Sequence, residues 1–210
     1  LERGLRAGIP ASRMVFSGVG KRRDELEAAL DAGIAVFNVE SSGELELLDA
    51  VARARGQRAP VSLRVNPDVD PQTHPYIATG LRATKFGVPI GEARDLYRRA
   101  GEMEGLEVVG VDCHIGSQLT SVAPFLEAVR RVRALVADLE ADGHTIEHLD
   151  LGGGLGIPYH PGEEPPHPRE FGAALNAELA DWPGRIIFEP GRLIVGNAGI
   201  FLTEVLYTKV

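Results

Sequence analysis

The feature that most constrains the fold is an alternation of short apolar segments with longer amphipathic segments along almost the whole chain. The short segments are rich in Val, Ile, Leu and Phe, which is typical of strands buried on both faces. The predicted strands are Met14–Ser17, Ala35–Val39, Val61–Val65, Val108–His114, His148–Leu151 and Arg185–Glu189. The predicted helices are Lys21–Ala32, Ser42–Ala54, Glu92–Ala100, Val122–Leu139 and Arg169–Asp181. Strands alternating with helices predict a parallel sheet with right-handed crossovers.

Periodicity alone leaves two architectures open, a doubly wound open sheet and part of a (β/α)8 barrel. Polar or glycine-rich residues stand at or just after the carboxyl ends of four predicted strands: Asn66, His114, Gly152–Gly154 and Glu189–Arg192. Four strands that converge on one rim fit a barrel better than the single crevice of an open sheet. We therefore predict an α/β chain that forms a partial (β/α)8, TIM-like barrel with about six of the eight strands.

Composition excludes several classes of protein. The formal net charge of -8 argues against nucleic acid as the main partner. The single cysteine, Cys113, permits no internal disulfide and favours a cytoplasmic location. No apolar run approaches the ~18 residues of a membrane helix, and no signal peptide is visible. The chain opens at Leu1 without a methionine and closes with a strand-like segment, Ile200–Val210, so we expect a fragment of a longer protein.

A glycine-rich segment, Leu151–Gly156 (LGGGLG), follows one predicted strand. Consecutive glycines allow positive φ and close approach to an anion, and their backbone N–H groups can bind phosphate. A flexible turn is the alternative interpretation, and the triplet alone favours neither. The segment does not match the dinucleotide-binding fingerprint, because no second glycine pair opens a helix and Pro158 follows at once.

A carboxylate and an arginine stand together in Glu189-Pro190-Gly191-Arg192, after the apolar run RIIF. A carboxylate that leaves a buried strand needs a cationic or hydrogen-bonding partner. One interpretation is a structural ion pair between Glu189 and Arg192. The other is a carboxylate that keeps a ring nitrogen protonated, beside an arginine that holds a phosphate or carboxylate.

Another strand ends in His114-Ile115-Gly116-Ser117-Gln118, where the neighbouring glycine and hydroxyl favour a functional histidine. Cys113 and His114 point to opposite faces of a strand, so a nucleophilic Cys–His pair is not expected. His144 and His148 lack a third ligand, and we interpret them as surface residues rather than zinc ligands.

Two further features carry weaker predictions. The segment Asn66–Thr84 is longer than about a dozen residues, and connections of that length without secondary structure are uncommon and often functional. Lys85-Phe86-Gly87 closes it. Lys21, at a predicted helix start, is expected to be solvated.

Taken in order, these segments resemble the diaminopimelate decarboxylases, fold type III enzymes of the alanine-racemase-like fold that depend on pyridoxal 5'-phosphate (PLP). The resemblance spans essentially the whole chain, and HIGSQ and the NPDVDPQTHPYIATG…KFG segment separate it from ornithine and arginine decarboxylases. The matching segments are FSGVGKRRDELEAALDAGI, FNVESSGELELL, LRVNPDVDPQTHPYIATGLRATKFG, CHIGSQL, LDLGGGLGIPY and EPGRLIVGNAG.

The resemblance implies a domain organisation. Residues 1–198 would form the PLP-binding (β/α)8 barrel without its N-terminal strands, and residues 199–210 the first strand leading into a C-terminal β domain. The family's Schiff-base lysine, catalytic cysteine and substrate-binding tyrosine would lie outside this chain, which by itself would be inactive and would expose two unpaired sheet edges. The full-length protein would be a head-to-tail homodimer.

The resemblance also implies site roles, with no metal. His114 would stack on the PLP ring, Glu189 would bind the pyridine nitrogen, and Arg192 would contact the substrate carboxylate or the phosphate. Arg64 would lie near the ring hydroxyl, and Asp112 stands where relatives commonly have histidine. The implied cofactor-binding residues are His114, Ser117, Gly152, Gly153, Gly154, Glu189, Pro190, Gly191 and Arg192.

The leading functional hypothesis is decarboxylation of meso-diaminopimelate to L-lysine and CO2 in lysine biosynthesis, by the full-length protein. One alternative is the same chemistry on another basic amino acid or on carboxynorspermidine. Another is a non-catalytic PLP-binding regulator that keeps His114, Glu189 and the glycines. A phosphate-binding barrel without PLP would leave Glu189 and His114 without a shared purpose, so it ranks last.

Overall fold

The computed structural model describes residues 1–70 and 86–209. Most of the predicted long connection, residues 71–84, and Lys85 therefore lie outside the described residues. The strands are β1 Val15–Phe16, β2 Val36–Val39, β3 Ala59–Asn66, β4 Val88–Pro89, β5 Leu106–Cys113, β6 His148–Asp150 and β7 Arg185–Ile187. The helices are α1 Glu2–Arg6, α2 Arg23–Ala32, α3 Ser42–Ala54, α4 Ile90–Glu102, α5 Ala123–Ala141, α6 Pro168–Glu178 and α7 Arg192–Val195.

The strands form one parallel sheet in the order β1-β2-β3-β5-β6-β7, with the two-residue β4 pairing beside the end of β3. The sheet curls into part of a barrel, which confirms the predicted partial (β/α)8 fold. All six strands and all five helices predicted from the alternation are present, α3 with the predicted ends and the others with shifted ends. The elements that the sequence did not predict, β4, α1 and α7, span two to five residues and are too short to show a period.

Helix α3 begins after a side-chain cap at Ser41. The Ser41 hydroxyl accepts a hydrogen bond from the backbone N–H of Glu44 at 3.2 Å. The reciprocal half of a capping box is absent, because the Glu44 carboxylate accepts from the backbone N–H of Glu40 instead and pairs with Lys21. The helix therefore starts on one cap bond, and Glu44 is turned toward the barrel.

Alternation along the strands separates an apolar outer face from a polar inner face. Phe37, Leu63, Val111 and Leu149 are at most 1% exposed and belong to the core that the surrounding helices cover. Their strand neighbours point the opposite way, because successive side chains alternate between the two faces of a strand. Those neighbours are polar and buried, and they are Asn38, Ser62, Asp112, His148 and Asp150. The barrel lumen is therefore a buried polar layer.

Strand register stacks these inner residues in layers. Ser62, Gly110 and His148 are in register across β3, β5 and β6, and Asp112 and Asp150 share the next layer. The His148 ring fills the space that Gly110 leaves, since a Cβ at that glycine would overlap the ring. In the first of these layers two small residues, Ser62 and Gly110, therefore stand beside the larger side chain of His148, which projects into the lumen.

The prediction that His148 is a surface residue is wrong. It is 2% exposed, and its Nε2 lies 2.9 Å from the Ser62 hydroxyl oxygen. Burial, followed by Arg185, lowers the pKa of His148 to about 4, so the ring is neutral. The error arose because the burial of His148 depends on packing against Ser62 and Gly110 of neighbouring strands, which lie far from it in the sequence. In the described part of the chain no group of three or more metal-ligating side chains converges.

The segment after α7 has no regular secondary structure between residues 199 and 209. Its apolar side chains are exposed, Phe201 by 91% and Tyr207 by 93%. The strand predicted here stays a prediction, because a strand needs a neighbouring strand for its backbone hydrogen bonds and residues 199–209 pair with none in the described structure. No helix among the described residues combines the length and apolarity needed to cross a bilayer.

A bulge between β3 and β5 depends on Tyr97 of α4. The register shifts between Val61 and Ser62, and the Tyr97 hydroxyl accepts from the backbone N–H of Leu63 at 3.1 Å. The same hydroxyl donates to the carbonyl oxygen of Gly110 at 2.8 Å. This buried side chain therefore satisfies backbone groups that the shifted strand ladder leaves open.

We expect the Tyr97→Phe substitution to lower the free energy of unfolding by about 1–3 kcal/mol, because two buried backbone groups lose their partner while the ring is kept. Urea denaturation of the full-length protein measures the change. Tyr159→Phe, at a tyrosine that is 58% exposed, is the matched control. Equal effects of the two substitutions would contradict the role assigned to the Tyr97 hydroxyl.

Candidate functional site

Three loops meet at the rim formed by the carboxyl ends of the strands. The loop after β5 joins the loop after β6 through Leu119, whose N–H donates to Gly154 at 2.8 Å and whose carbonyl accepts from Gly156 at 3.0 Å. The loop after β6 joins the end of β7, where the Glu189 N–H donates to the Gly152 carbonyl at 2.8 Å. The structure therefore brings together the three segments that the sequence singled out.

The glycines Gly152–Gly154 make this close approach possible. The first and third have φ of +64° and +112°, in the region that favours glycine. A Cβ on the first would lie 2.6 Å from the His114 ring, and Cβ atoms on the second and third would overlap the carbonyl oxygens of Glu189 and Gly116. The flexible-turn interpretation fails, because this loop packs tightly on both neighbours.

His114 is held at the rim as a neutral ring. Its Nδ1 accepts a hydrogen bond from the backbone N–H of Gly153 at 3.1 Å, which places the ring proton on Nε2. Burial, followed by the positive charge of Arg64, lowers the pKa of His114 to about 4. A half-buried, uncharged aromatic ring can stack on a planar ligand.

Gln118 fixes the loop after β5 against the loop after β6. Its backbone adopts a φ of +58°, and its amide group bonds both backbone groups of Ile157. The Nε2 donates to the Ile157 carbonyl at 2.5 Å, and the Oε1 accepts from the Ile157 N–H at 3.2 Å. Ser117, the hydroxyl residue of the predicted site, is therefore half-buried in a loop that is fixed at its next residue.

Glu189 and Arg192 do not form the structural ion pair that the sequence left open. Among the described residues, the Glu189 Oε1 accepts a hydrogen bond from the Ser17 hydroxyl at 2.6 Å. The Arg192 guanidinium lies 5.8 Å from the centre of the Tyr159 ring. Both residues are half-buried. Pro190 and Gly191 connect them, and Arg192 is the first residue of α7. A carboxylate and a guanidinium therefore reach the same rim with separate partners.

Below the rim the lumen holds carboxyl groups close together. Burial, followed by the charge of Asp150, raises the pKa of Asp112 well above its ordinary range. Burial, followed by Glu189, raises the pKa of Asp150 to about 6. Arg64 opposes both shifts, and it forms an ion pair with Glu40 at 3.0 Å. The residues directly below the rim therefore form an acidic layer, in which ionisation of Asp112 or Asp150 is disfavoured.

Lys21 is buried, so the prediction that it is solvated is wrong. Its Nζ pairs with Glu44 at 2.5 Å and donates to the carbonyl oxygens of Gly18 at 2.7 Å and Asn38 at 2.6 Å. Helix α2 begins only at Arg23, so Lys21 belongs to the connection that leads into the barrel. The lysine joins the end of β1, the end of β2 and the start of α3.

The residues present fit PLP. In the tightly packed glycine loop the N–H groups of Gly152 and Gly153 donate to Asp150 and His114, and the N–H of Gly154, without an acceptor among the described residues, suits a phosphate. The neutral ring of His114 suits a planar heterocycle, and the Glu189 carboxylate suits a protonated ring nitrogen. Three residues that contact Glu189 directly or through a chain of bonds, Ser17, Asn38 and Asp150, were not predicted from the sequence.

Comparison with known proteins agrees with this geometry. The family model "Pyridoxal-dependent decarboxylase, pyridoxal binding domain" matches residues 1–196. The chain is 55% identical to a diaminopimelate decarboxylase of Pseudomonas aeruginosa and 52% identical to one of Haemophilus influenzae, over 100% of this chain and 50% of each relative. The chain therefore spans about half the length of the curated relatives it matches.

Among solved structures, the chain is similar to diaminopimelate decarboxylase from Helicobacter pylori complexed with L-lysine. The TM-score is 0.88 at 41% sequence identity, covering 92% of this chain and 49% of that chain. The shared backbone includes the curled parallel sheet that positions the three rim loops.

We expect Gly154→Ala to lower the affinity of the full-length protein for PLP by about tenfold or more, because the new Cβ would displace the loop from Gly116. Equilibrium dialysis or fluorescence titration measures the affinity. Gly162→Ala is the matched control, since that glycine also has positive φ (+88°) but has open space around it. Equal losses in both variants would show that backbone strain, and not the close approach, determines the result.

The raised pKa of Asp150 predicts a pH dependence of stability. The folded pKa is about 6, against about 3.9 in an unfolded chain. The folded state therefore holds the proton more tightly, and this stabilisation is complete below about pH 4 and lost as the pH rises through about 6.

For wild type relative to Asp150→Asn, we expect the free energy of unfolding to fall by about 2 kcal/mol between pH 4 and pH 7. Urea denaturation of both proteins at several pH values gives this difference. A difference that stays constant over the pH range would contradict the assigned pKa.

Proposed function

Since this chain belongs to the pyridoxal-dependent decarboxylase family, over its pyridoxal-binding domain, we propose that the full-length protein converts meso-diaminopimelate to L-lysine and CO2. The observation that carries the proposal is the convergence of His114, Glu189 and Gly152–Gly154 at one rim. These groups match the ring, the ring nitrogen and the phosphate of PLP. The relatives named diaminopimelate decarboxylase support this choice of substrate.

Bound PLP supplies an electron sink for the carbon that loses its carboxylate. The role proposed for Glu189 is to keep the pyridine nitrogen protonated, because a nearby negative charge raises the pKa of that nitrogen. His114 would hold the ring by stacking, and its neutral state places no second positive charge beside the protonated nitrogen. Orientation of the ring determines which substrate bond lies perpendicular to it and therefore which bond breaks.

The remaining rim residues would hold the anionic groups. In the proposal, the glycine loop binds the phosphate through the N–H of Gly154, together with the N–H of Gly191 and the Ser117 hydroxyl. Pro190 would shape the turn that presents Gly191. Arg192 would bind the substrate carboxylate or the phosphate, since a guanidinium forms paired hydrogen bonds with either group. Arg64 would lie near the ring hydroxyl.

Several parts of the proposal concern the full-length protein. Residues 1–198 would belong to the barrel domain, and residues 199–210 would lead into a C-terminal β domain. The lysine that binds PLP covalently, the catalytic cysteine and a substrate-binding tyrosine would lie outside this chain. We propose a homodimer in the cytoplasm, which the single buried cysteine suits. The L-lysine in the Helicobacter pylori complex is the expected product, which supports this reaction.

The test is to purify the full-length protein with PLP and to measure cofactor absorption, CO2 and lysine with and without meso-diaminopimelate. We expect a bound-PLP band that shifts when substrate is added, with CO2 and lysine released in equal amounts. Turnover of another basic amino acid or of carboxynorspermidine would reassign the substrate. Bound PLP without turnover would indicate a non-catalytic regulator, and a folded protein without bound PLP would overturn the proposal.

The Glu189→Gln variant tests the role of the charge in the same assay. Glutamine keeps the shape and can still accept the Ser17 hydrogen bond, but it cannot raise the pKa of the ring nitrogen. We expect kcat to fall by about 10- to 1000-fold, which corresponds to a loss of one to three pKa units at that nitrogen. An unchanged kcat would remove Glu189 from the proposed mechanism.

A further inference from the structure

A chain of hydrogen bonds crosses the barrel lumen and ends on Glu189. The Ser17 hydroxyl donates to the Glu189 Oε1 at 2.6 Å, and the Asn38 Nδ2 donates to the Ser17 hydroxyl oxygen at 3.0 Å. The same Nδ2 donates to the Asp150 Oδ2 at 3.1 Å, and the Asp150 Oδ1 accepts from the Gly152 N–H at 3.0 Å. These hydrogen bonds therefore connect the residue after β1 with β2 and β6, and join all three to Glu189, two residues beyond the end of β7.

The proton count fixes the direction of these bonds. The Asn38 amide nitrogen carries two hydrogens, one for Asp150 and one for Ser17. Because Ser17 accepts from Asn38, its single proton is left to point at Glu189. The opposite amide orientation would place the Asn38 oxygen against the Asp150 carboxylate, which also only accepts when ionised. With Asp150 ionised, the network therefore has one arrangement, in which Glu189 receives the Ser17 hydrogen bond and the buried Asn38 Oδ1 has no partner among the described residues.

Backbone hydrogen bonds close this chain of side-chain hydrogen bonds into a ring. The Glu189 N–H donates to the Gly152 carbonyl at 2.8 Å, and the N–H of the same glycine donates to Asp150. The glycine loop and the Glu189 carboxylate are therefore fixed to each other by side chains and by main chain. In the proposed function these two groups bind opposite ends of one rigid cofactor.

Asn38 is itself held in place. It is fully buried on β2, and its backbone carbonyl oxygen accepts a hydrogen bond from the Nζ of Lys21 at 2.6 Å. The surroundings disfavour a charge on Asp150, since burial, followed by the charge of Glu189, raises its pKa and Arg64 opposes this shift. Asp112 and Glu40 are further acids buried in the same lumen. The neutral Asn38 and Ser17 separate Asp150 from Glu189 and bond to both.

We infer that Ser17 and Asn38 are positioning residues for Glu189, which orient its carboxylate toward the cofactor ring nitrogen. Ser17 occupies Oε1 and leaves Oε2 to accept a second hydrogen bond. A glutamate side chain that is half-buried at the end of the last strand of the sheet has several rotamers available, and the bond to Ser17 selects among them. The inference rests on the proposed function, because the role of Glu189 does.

The test uses the full-length holoenzyme as wild type, Ser17→Ala, Ser17→Thr and Ser62→Ala. PLP labelled with 15N in the ring reports protonation of the pyridine nitrogen by NMR, and kcat and KM are measured in parallel. Ser62→Ala is the matched control, since it removes a buried hydroxyl that bonds to His148 in the same lumen. Thermal unfolding of each variant shows whether the Ser17→Ala and Ser62→Ala substitutions change the stability of the protein by similar amounts.

We expect Ser17→Ala to shift the nitrogen signal toward the unprotonated form and to lower kcat about tenfold, equivalent to one pKa unit at that nitrogen, with KM within about twofold. Ser17→Thr, which keeps the hydroxyl, should restore both values, and Ser62→Ala should leave both at the wild-type level. An unchanged signal and kcat in Ser17→Ala, or equal changes in the two alanine variants, would overturn the inference alone. A wild-type protein without a PLP signal would overturn the proposed function and the inference with it.

Discussion

The register of the parallel strands is the constraint on which the rest of the structure depends. It places the carboxyl ends of β5, β6 and β7 side by side, so that residues far apart in sequence meet at one rim. It also turns alternate residues of each strand into the lumen, where Asp112 and Asp150 become neighbours. A slip of one residue in any strand would exchange its inner and outer faces and dismantle the site.

The lumen explains how an acidic barrel can present a carboxylate at its rim. Burial, followed by the negative charge of Glu189, raises the pKa of Asp150. Bonds from Ser17 and Asn38 direct hydrogen atoms at both carboxylates. Arg64 contributes positive charge from β3. The proposed cationic ring nitrogen would complete this balance, which links the electrostatics of the lumen to the chemistry proposed for the rim.

Much of the fold could be predicted from the sequence, because short apolar strands and periodic helices are local signals. The glycine triplet, HIGSQ and EPGR likewise mark the rim, since each follows a strand directly. Lys21 and His148 were misplaced because burial depends on packing between distant elements. The inner layer was missed, although Asn38 inside the apolar strand VFNV and Asp150 before the glycines were visible as polar residues in buried strands.

The central claim is that His114, Glu189 and the glycine loop form one PLP site. A crystal structure of the full-length protein with PLP tests it most directly. The account predicts the phosphate on the Gly152–Gly154 loop, the cofactor ring against His114, and the pyridine nitrogen within hydrogen-bonding distance of Glu189, which keeps its bond from Ser17. PLP bound elsewhere, or a ring nitrogen without a contact to Glu189, would contradict the account.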